Sequence, residues 1–151
     1  MEKFLTGKDV LSTIGGLFGG VIAMAFGGWS EGLTTLLILM IVDYLSGLVV
    51  AGLFQASPKT KTGGLESRAG WKGLARKVIT LFIVMVAYRI DVALGTNYLM
   101  NAAVIGFIMN ELISLVENAG LMGIPMPKAI TKAIDILTTK ADLEASDKAE
   151  D

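Results

Sequence analysis

The residues of this chain that could carry chemistry are carboxylates, amides and hydroxyls, because the sequence contains neither histidine nor cysteine. Without imidazole or thiol groups there is no His- or Cys-based metal site, no disulfide and no Ser-His or Cys-His nucleophile. The remaining candidates lie inside long apolar segments: Asp43, Arg89, Asn110, Glu111, Ser114 and Glu117. We therefore predict a protein that is not an enzyme and that has no catalytic residue, cofactor or metal.

Four apolar segments carry these side chains, at residues 10–29, 33–54, 78–94 and 99–121. Each approaches the roughly 20 residues that cross a bilayer core about 30 Å thick. With 53% hydrophobic residues, the chain is more apolar than a soluble domain of this length needs. We predict an all-α, polytopic integral membrane protein with four transmembrane helices in a single domain, residues 1–140.

Basic residues between the second and third segments indicate the orientation. This loop contains six lysines and arginines between Lys59 and Lys77 against Glu66 alone. Because basic residues resist translocation, the loop is predicted to be cytoplasmic, and four crossings then place both termini there as well. The net charge of −1 argues against a nucleic-acid partner.

Two stretches of the predicted cytoplasmic surface are amphipathic. They predict interfacial helices at about residues 67–77 and 127–139, lying against anionic headgroups. A basic loop and a solvated tail without a specific partner are the alternative. The residues assigned to the membrane surface and to topology are Trp71, Lys72, Arg76 and Lys77. The acidic tail, residues 141–151, is predicted to be disordered.

Glycines of the first segment recur at four-residue spacing, which forms two overlapping GxxxG pairs: Gly15, Gly16, Gly19 and Gly20. Helices in lipid associate through close backbone approach, which glycine permits. The pattern fits packing against the second or fourth segment of the same chain, and it equally fits association between copies.

Charges at mid-bilayer cost about 2.5 to 3.5 kcal/mol on insertion scales, so these side chains need partners. At 1.5 Å per residue, Asp43 and Glu111 lie roughly 15 and 18 Å from the outer ends of their segments. Arg89 lies somewhat nearer the outer surface. We predict that Asp43 pairs with Arg89, or shares a proton and hydrogen bonds with Asn110 and Glu111.

Small residues on the same faces predict that the helices approach closely there. Gly47 lies on the Asp43 face, and a polar stripe on the fourth segment contains Gly106, Asn110, Ser114 and Glu117. Such a stripe either holds one protomer together or lines water once many copies assemble.

Three blocks of sequence resemble the phage holins of the toxin-secretion and phage-lysis family, which includes holin-like proteins of clostridial toxin loci. The blocks are DYLSG at 43–47, GWKGLARK at 70–77, and NELISLVENA at 110–119 followed by GIPMP at 123–127. The resemblance covers roughly residues 33–137. It implies a protein that accumulates in the cytoplasmic membrane of an infected bacterium and oligomerises into lesions there. Through these lesions an endolysin, or in some members a toxin, leaves the cell.

The partners implied are the lipid bilayer, further copies of the chain and an endolysin that is released without necessarily being bound. The acidic tail departs from the basic tails common among holins. Two other functions fit the residues. In a small proton-coupled transporter, Asp43 or Glu111 would bind protons and a cation in alternation. A membrane scaffold without transport would use the same packing.

Overall fold

The computed structural model describes residues 7–132, 134–136 and 139. Four helices follow one another: α1 Gly7–Phe26, α2 Glu31–Gly52, α3 Ser67–Leu94 and α4 Leu99–Leu121. The backbone is helical again at residues 128–132, 134–136 and 139, within the region predicted as the C-terminal amphipathic helix. The all-helical prediction is confirmed over the described residues, and the tail at 141–151 lies outside them.

Two of these helices, α2 and α4, are long and apolar enough to cross a membrane. The apolar part of α1, Ser12–Phe26, is shorter than such a span, and α3 carries several charged side chains. The predicted order of four helices is therefore observed, and crossing by all four stays a prediction.

The turn between α1 and α2 follows from local sequence. Gly27 and Gly28 have φ angles of 73° and 113°, which glycine adopts without strain and which end α1. Ser30 then caps α2, because its hydroxyl accepts a hydrogen bond of 3.1 Å from the Leu33 amide. A Cβ on Gly27 would lie 2.5 Å from the Tyr88 ring, so this turn packs directly against α3.

The predicted interfacial helix at 67–77 and the predicted crossing at 78–94 are one continuous helix, α3. Its 28 residues extend about 42 Å, longer than a bilayer core of about 30 Å. The helix has no break at Lys77, and the point at which it enters the membrane stays a prediction. The consequence is that Lys77, assigned from sequence to the membrane surface, lies among the helices with only 14% of its side chain exposed.

Helices α2, α3 and α4 form a bundle in which α4 packs against both of the others. One apolar cluster fills the end of this bundle where α2 and α4 begin. Its buried members are Leu33, Leu36, Met40, Val84, Met100 and Val104. The polar side chains Asp43, Glu111 and Asn118 of α2 and α4 lie at the opposite end, beside the loop that joins α2 to α3. The bundle therefore has a dry end and a polar end.

Asp91 closes the dry end by joining α3 to α4. Its carboxylate accepts hydrogen bonds from the Thr96 hydroxyl at 2.5 Å, the Leu99 amide at 3.1 Å and the Met100 amide at 2.8 Å. The two amides belong to the first turn of α4, whose donors have no partners within the helix. This buried carboxylate thus acts as a structural cap and explains the tight turn.

Over the described residues, the backbone of helix α1 lies close to α3 and not to α2 or α4, and Phe26 at its end packs against the apolar cluster. A Cβ added to Gly15, Gly16, Gly19 or Gly20 would meet nothing within 4 Å. The neighbouring Leu17 and Phe18 are 67% and 68% exposed. Packing of the glycine ridge against the second or fourth helix of the same chain was one of two interpretations, and it is wrong. No described residue covers the ridge.

Candidate functional site

A three-residue ion cluster, Asp43, Lys77 and Glu111, joins α2, α3 and α4. The Lys77 ammonium donates to Asp43 Oδ2 at 2.8 Å and to Glu111 Oε2 at 2.5 Å. The carboxylate side chains are 11% and 13% exposed. We call this cluster the ion triad. It places one positive and two negative charges at a junction of three helices, which leaves a formal excess of one negative charge.

The predicted pairing of Asp43 with Arg89 is wrong, because Lys77 takes that place and Arg89 is exposed. Arg89 lies twelve residues beyond Lys77, about 18 Å along the helix. The expectation that Asp43 and Glu111 come together is met through a shared lysine, whereas a direct hydrogen bond had been predicted.

Asn118 donates a hydrogen bond to Oδ1 of Asp43, the carboxylate oxygen that Lys77 does not contact. Its amide group donates to Asp43 Oδ1 at 3.1 Å and to the Ser46 hydroxyl at 2.8 Å. The Ser46 hydroxyl in turn donates to the Asp43 carbonyl at 2.9 Å. A Cβ on Gly47 would lie 3.8 Å from the Asn118 amide nitrogen, so Gly47 permits the predicted close approach. Both oxygens of Asp43 are therefore bonded within the protomer.

A cavity of about 330 Å³ lies beside the ion triad, on the side of the α2–α3 loop. Asn110 and Ser114 line it, as members of the predicted polar stripe. Tyr44 forms part of its wall, lying against α3 where added Cβ atoms on Gly70 and Gly73 would be 3.5 and 3.7 Å from its side chain. The block GWKGLARK therefore supplies both a lysine for the triad and glycines that accept an aromatic side chain.

The α2–α3 loop folds over the mouth of the cavity. The Ser57 amide donates to the Gly63 carbonyl at 2.9 Å, and the Thr60 hydroxyl donates to the Gly64 carbonyl at 2.9 Å. Gly63 has a φ of 74°, and a side chain there would collide with the backbone of Gln55. The loop is thus a compact element that contributes Ser57 and Lys59 to the cavity wall.

Other predicted site residues lie apart from the triad. Glu117 is exposed, and Gly106 is exposed with nothing within 4 Å of an added Cβ. Trp71, Lys72 and Arg76 are exposed on the first turns of α3. These positions are compatible with the predicted membrane-surface role, which the structure leaves untested.

Three members of the network, Lys77, Ser46 and Asn118, were not assigned to it from sequence. The signal for Lys77 was available: it lies in the same recognised block as Gly70 and Gly73, with apolar residues continuing directly after it. Ser46 lies three residues after Asp43, on the same face of a helix. Their roles depend on how three helices meet, which periodicity within one helix cannot show.

The chain has relatives in several bacteria and in a bacteriophage. A protein of Halalkalibacterium halodurans is 42% identical over 122 residues, which cover 77% of this chain and 84% of the relative. A Listeria monocytogenes protein is 36% identical over 134 residues, covering 87% and 90%. A probable holin of Bacillus phage phi105 is 31% identical over 111 residues, covering 73% and 76%.

No solved structure matches the chain. The sequence model of the bacteriophage holin family matches residues 20–139, which include α2, α3, α4 and all members of the ion triad. The chain belongs to the bacteriophage holin family.

Proposed function

We propose that this chain is a holin that accumulates in the bacterial cytoplasmic membrane and oligomerises into lesions. Both termini face the cytoplasm in this proposal, and the lesions release an endolysin, which triggers lysis of the host cell. Release of a toxin through the same lesions is the variant that the resemblance to holin-like proteins of clostridial toxin loci implies. Membership of the holin family carries the proposal, because the match includes all polar positions that join the bundle.

The ion triad supports a resting state in which each protomer satisfies its own polar groups. Asp43 is bonded by Lys77 and Asn118, and no buried side-chain nitrogen or oxygen among the described residues lacks a partner. Because unpaired charges in a bilayer are costly, such a protomer can accumulate without rupturing the membrane. In this proposal the triad holds α2, α3 and α4 together in the resting protomer.

The uncovered ridge of α1 supports assembly. Gly15, Gly16, Gly19 and Gly20 allow a second helix to approach closely, and none of them is used inside the protomer. At low density the copies stay dispersed. Above a threshold density, contacts between copies shift the population toward an assembly in which polar faces line water.

Lysis tests this function directly. The chain is expressed from an inducible promoter, alone and together with a cytoplasmic muralytic enzyme, while membrane potential and culture turbidity are followed. The expected result is normal growth, then an abrupt loss of potential, with lysis only when the enzyme is present. Cells that keep both their potential and their turbidity would overturn the proposal. Leakage that rises in proportion to expression from the start would contradict a threshold.

A further inference from the structure

The cavity beside the ion triad has a polarity of its own. Its lining includes three acidic and three basic side chains, which divide by exposure: Asp43, Glu111 and Lys77 are inside, and Lys59, Glu66 and Arg76 are exposed at the mouth. The inner group has an excess of one negative charge, and the outer group has an excess of one positive charge. The cavity as a whole is neutral but dipolar.

At the inner end, Glu111 has hydrogen-bonding capacity left over. Its bond to Lys77 uses Oε2, and no described residue donates a hydrogen bond to Oε1. Because no buried side-chain oxygen among the described residues is without a partner, Oε1 is not fully buried, and Glu111 is one of the residues that line the cavity. Ser114 and Asn110 line the wall nearby with further polar groups. This end is suited to a group with several N–H donors and one positive charge.

At the mouth, Lys59 and Arg76 form no ion pair with any described residue. Both line the cavity, and the loop that carries Lys59 is held in place by its own hydrogen bonds. A guanidinium and an ammonium on one rim favour an oxyanion, which the guanidinium can bind through two parallel hydrogen bonds.

We propose that this cavity binds a zwitterion, with a primary ammonium on Glu111 and an oxyanion between Arg76 and Lys59. A volume of about 330 Å³ accommodates an aminoethyl phosphate group with ordered water. Such a group occurs as the headgroup of phosphatidylethanolamine and as free phosphoethanolamine. The inference concerns a ligand site and does not depend on the proposed lytic function.

The test compares ligands that differ at one end. The full chain in nanodiscs of phosphatidylglycerol is supplemented with phosphatidylethanolamine or phosphatidylcholine, and retained lipids are counted by native mass spectrometry. Phosphatidylethanolamine should be retained, whereas phosphatidylcholine, whose ammonium has no N–H, should not be. In a second arm, detergent-solubilised protein is titrated with phosphoethanolamine and phosphocholine and its thermal unfolding is followed. Retention of phosphatidylethanolamine without stabilisation by phosphoethanolamine identifies the lipid as the source, and stabilisation by phosphoethanolamine identifies the free compound.

Matched variants test each end separately. Arg76→Gln changes an exposed side chain and should weaken binding about tenfold, as expected for the loss of a charge-assisted contact. Glu111→Gln should abolish the preference for the primary ammonium. Arg89→Gln, which changes an exposed charge outside this cavity, should bind as the native chain does. Equal retention of all three lipids without stabilisation by phosphoethanolamine, or unchanged binding by Arg76→Gln, would overturn the proposal.

Discussion

Helix α1 and the α2–α3–α4 bundle differ in how much of their surface makes contacts inside the protomer. In the bundle, a buried apolar cluster, the ion triad and the Asp91 cap each join at least two helices. Among the described residues, helix α1 packs along α3 and reaches the apolar cluster through Phe26 at its end, and a Cβ added to its ridge glycines would meet nothing within 4 Å. The bundle is therefore built to hold itself together, whereas α1 has surface left for another molecule. Substitutions in the bundle should therefore lower the free energy of unfolding, whereas substitutions on the glycine ridge of α1 should lower self-association.

The largest effect is expected from removing the shared cation. Lys77→Met leaves Asp43 and Glu111 facing the same space without a counter-charge, and breaking a buried pair in this way costs about 3 to 5 kcal/mol. Unfolding of the detergent-solubilised protein in a denaturant titration measures the loss. Lys72→Met, an exposed lysine on the same helix, is the control and should change stability by less than about 0.5 kcal/mol. Equal stability of the two variants would show that the ion triad does not stabilise the bundle.

A smaller loss is expected where α1 is attached. Gly27→Ala places a methyl group against the Tyr88 ring at a φ of 73°, a conformation that costs a residue with a side chain about 1 to 3 kcal/mol. We expect α1 to separate from α3, seen as a longer distance between spin labels on the two helices, while the bundle stays folded. Gly15→Ala serves as the control, since its Cβ meets nothing. An unchanged distance in Gly27→Ala would contradict this attachment.

Asn118→Ala removes the hydrogen bonds to Asp43 and Ser46 but leaves the ion pairs in place. Hydrogen bonds between membrane helices contribute about 0.6 kcal/mol on average and up to about 1.7 kcal/mol, so the loss should fall within this range. The same denaturant titration measures it. A loss as large as that of Lys77→Met would show that the amide, and not the lysine, dominates the junction.

The smallest effect on protomer stability is expected on the glycine ridge. Gly16→Leu with Gly20→Leu should change the free energy of unfolding by less than about 0.5 kcal/mol, because neither position touches the bundle. Self-association, measured by energy transfer between labelled copies in vesicles, should fall. Ile14→Leu, an exposed apolar position on the same helix, is the control. Unchanged self-association in the double variant would show that the glycine ridge does not contribute to contacts between copies.

Much of this architecture follows from the sequence alone. The predicted segment 99–121 coincides with α4, and Asp43 and Gly47 lie on one buried face as the helical period predicts. The partner of Asp43 was missed because depth was estimated as if every helix ended at the membrane surface. Helix α3 is about 42 Å long, so its early residues reach the level of Asp43 and Glu111. Because α3 has no break near Lys77, the helix is long enough for Lys77 to pair with Asp43 and Glu111.

The partner of α1 could not be predicted for a different reason. Glycines at four-residue spacing show that a helix can be approached closely, but they do not select the approaching helix. In this protomer, Gly27 and Tyr88 fix the end of α1 against α3 and leave the ridge elsewhere uncovered. The contact between Gly27 and Tyr88, which lies outside the glycine motif, therefore determines the position of α1 and which of its faces stays exposed.

The ion triad also has a consequence for the order of synthesis. Each of its pairs joins residues 34 positions apart in the chain. At about 5 to 20 residues per second, Lys77 is made roughly 2 to 7 seconds after Asp43, and Glu111 follows after an equal delay. During the first interval α2 exists with a carboxylate but no lysine. The contacts that Glu111 and Asn118 make with this junction can therefore form only after α4 has been synthesised.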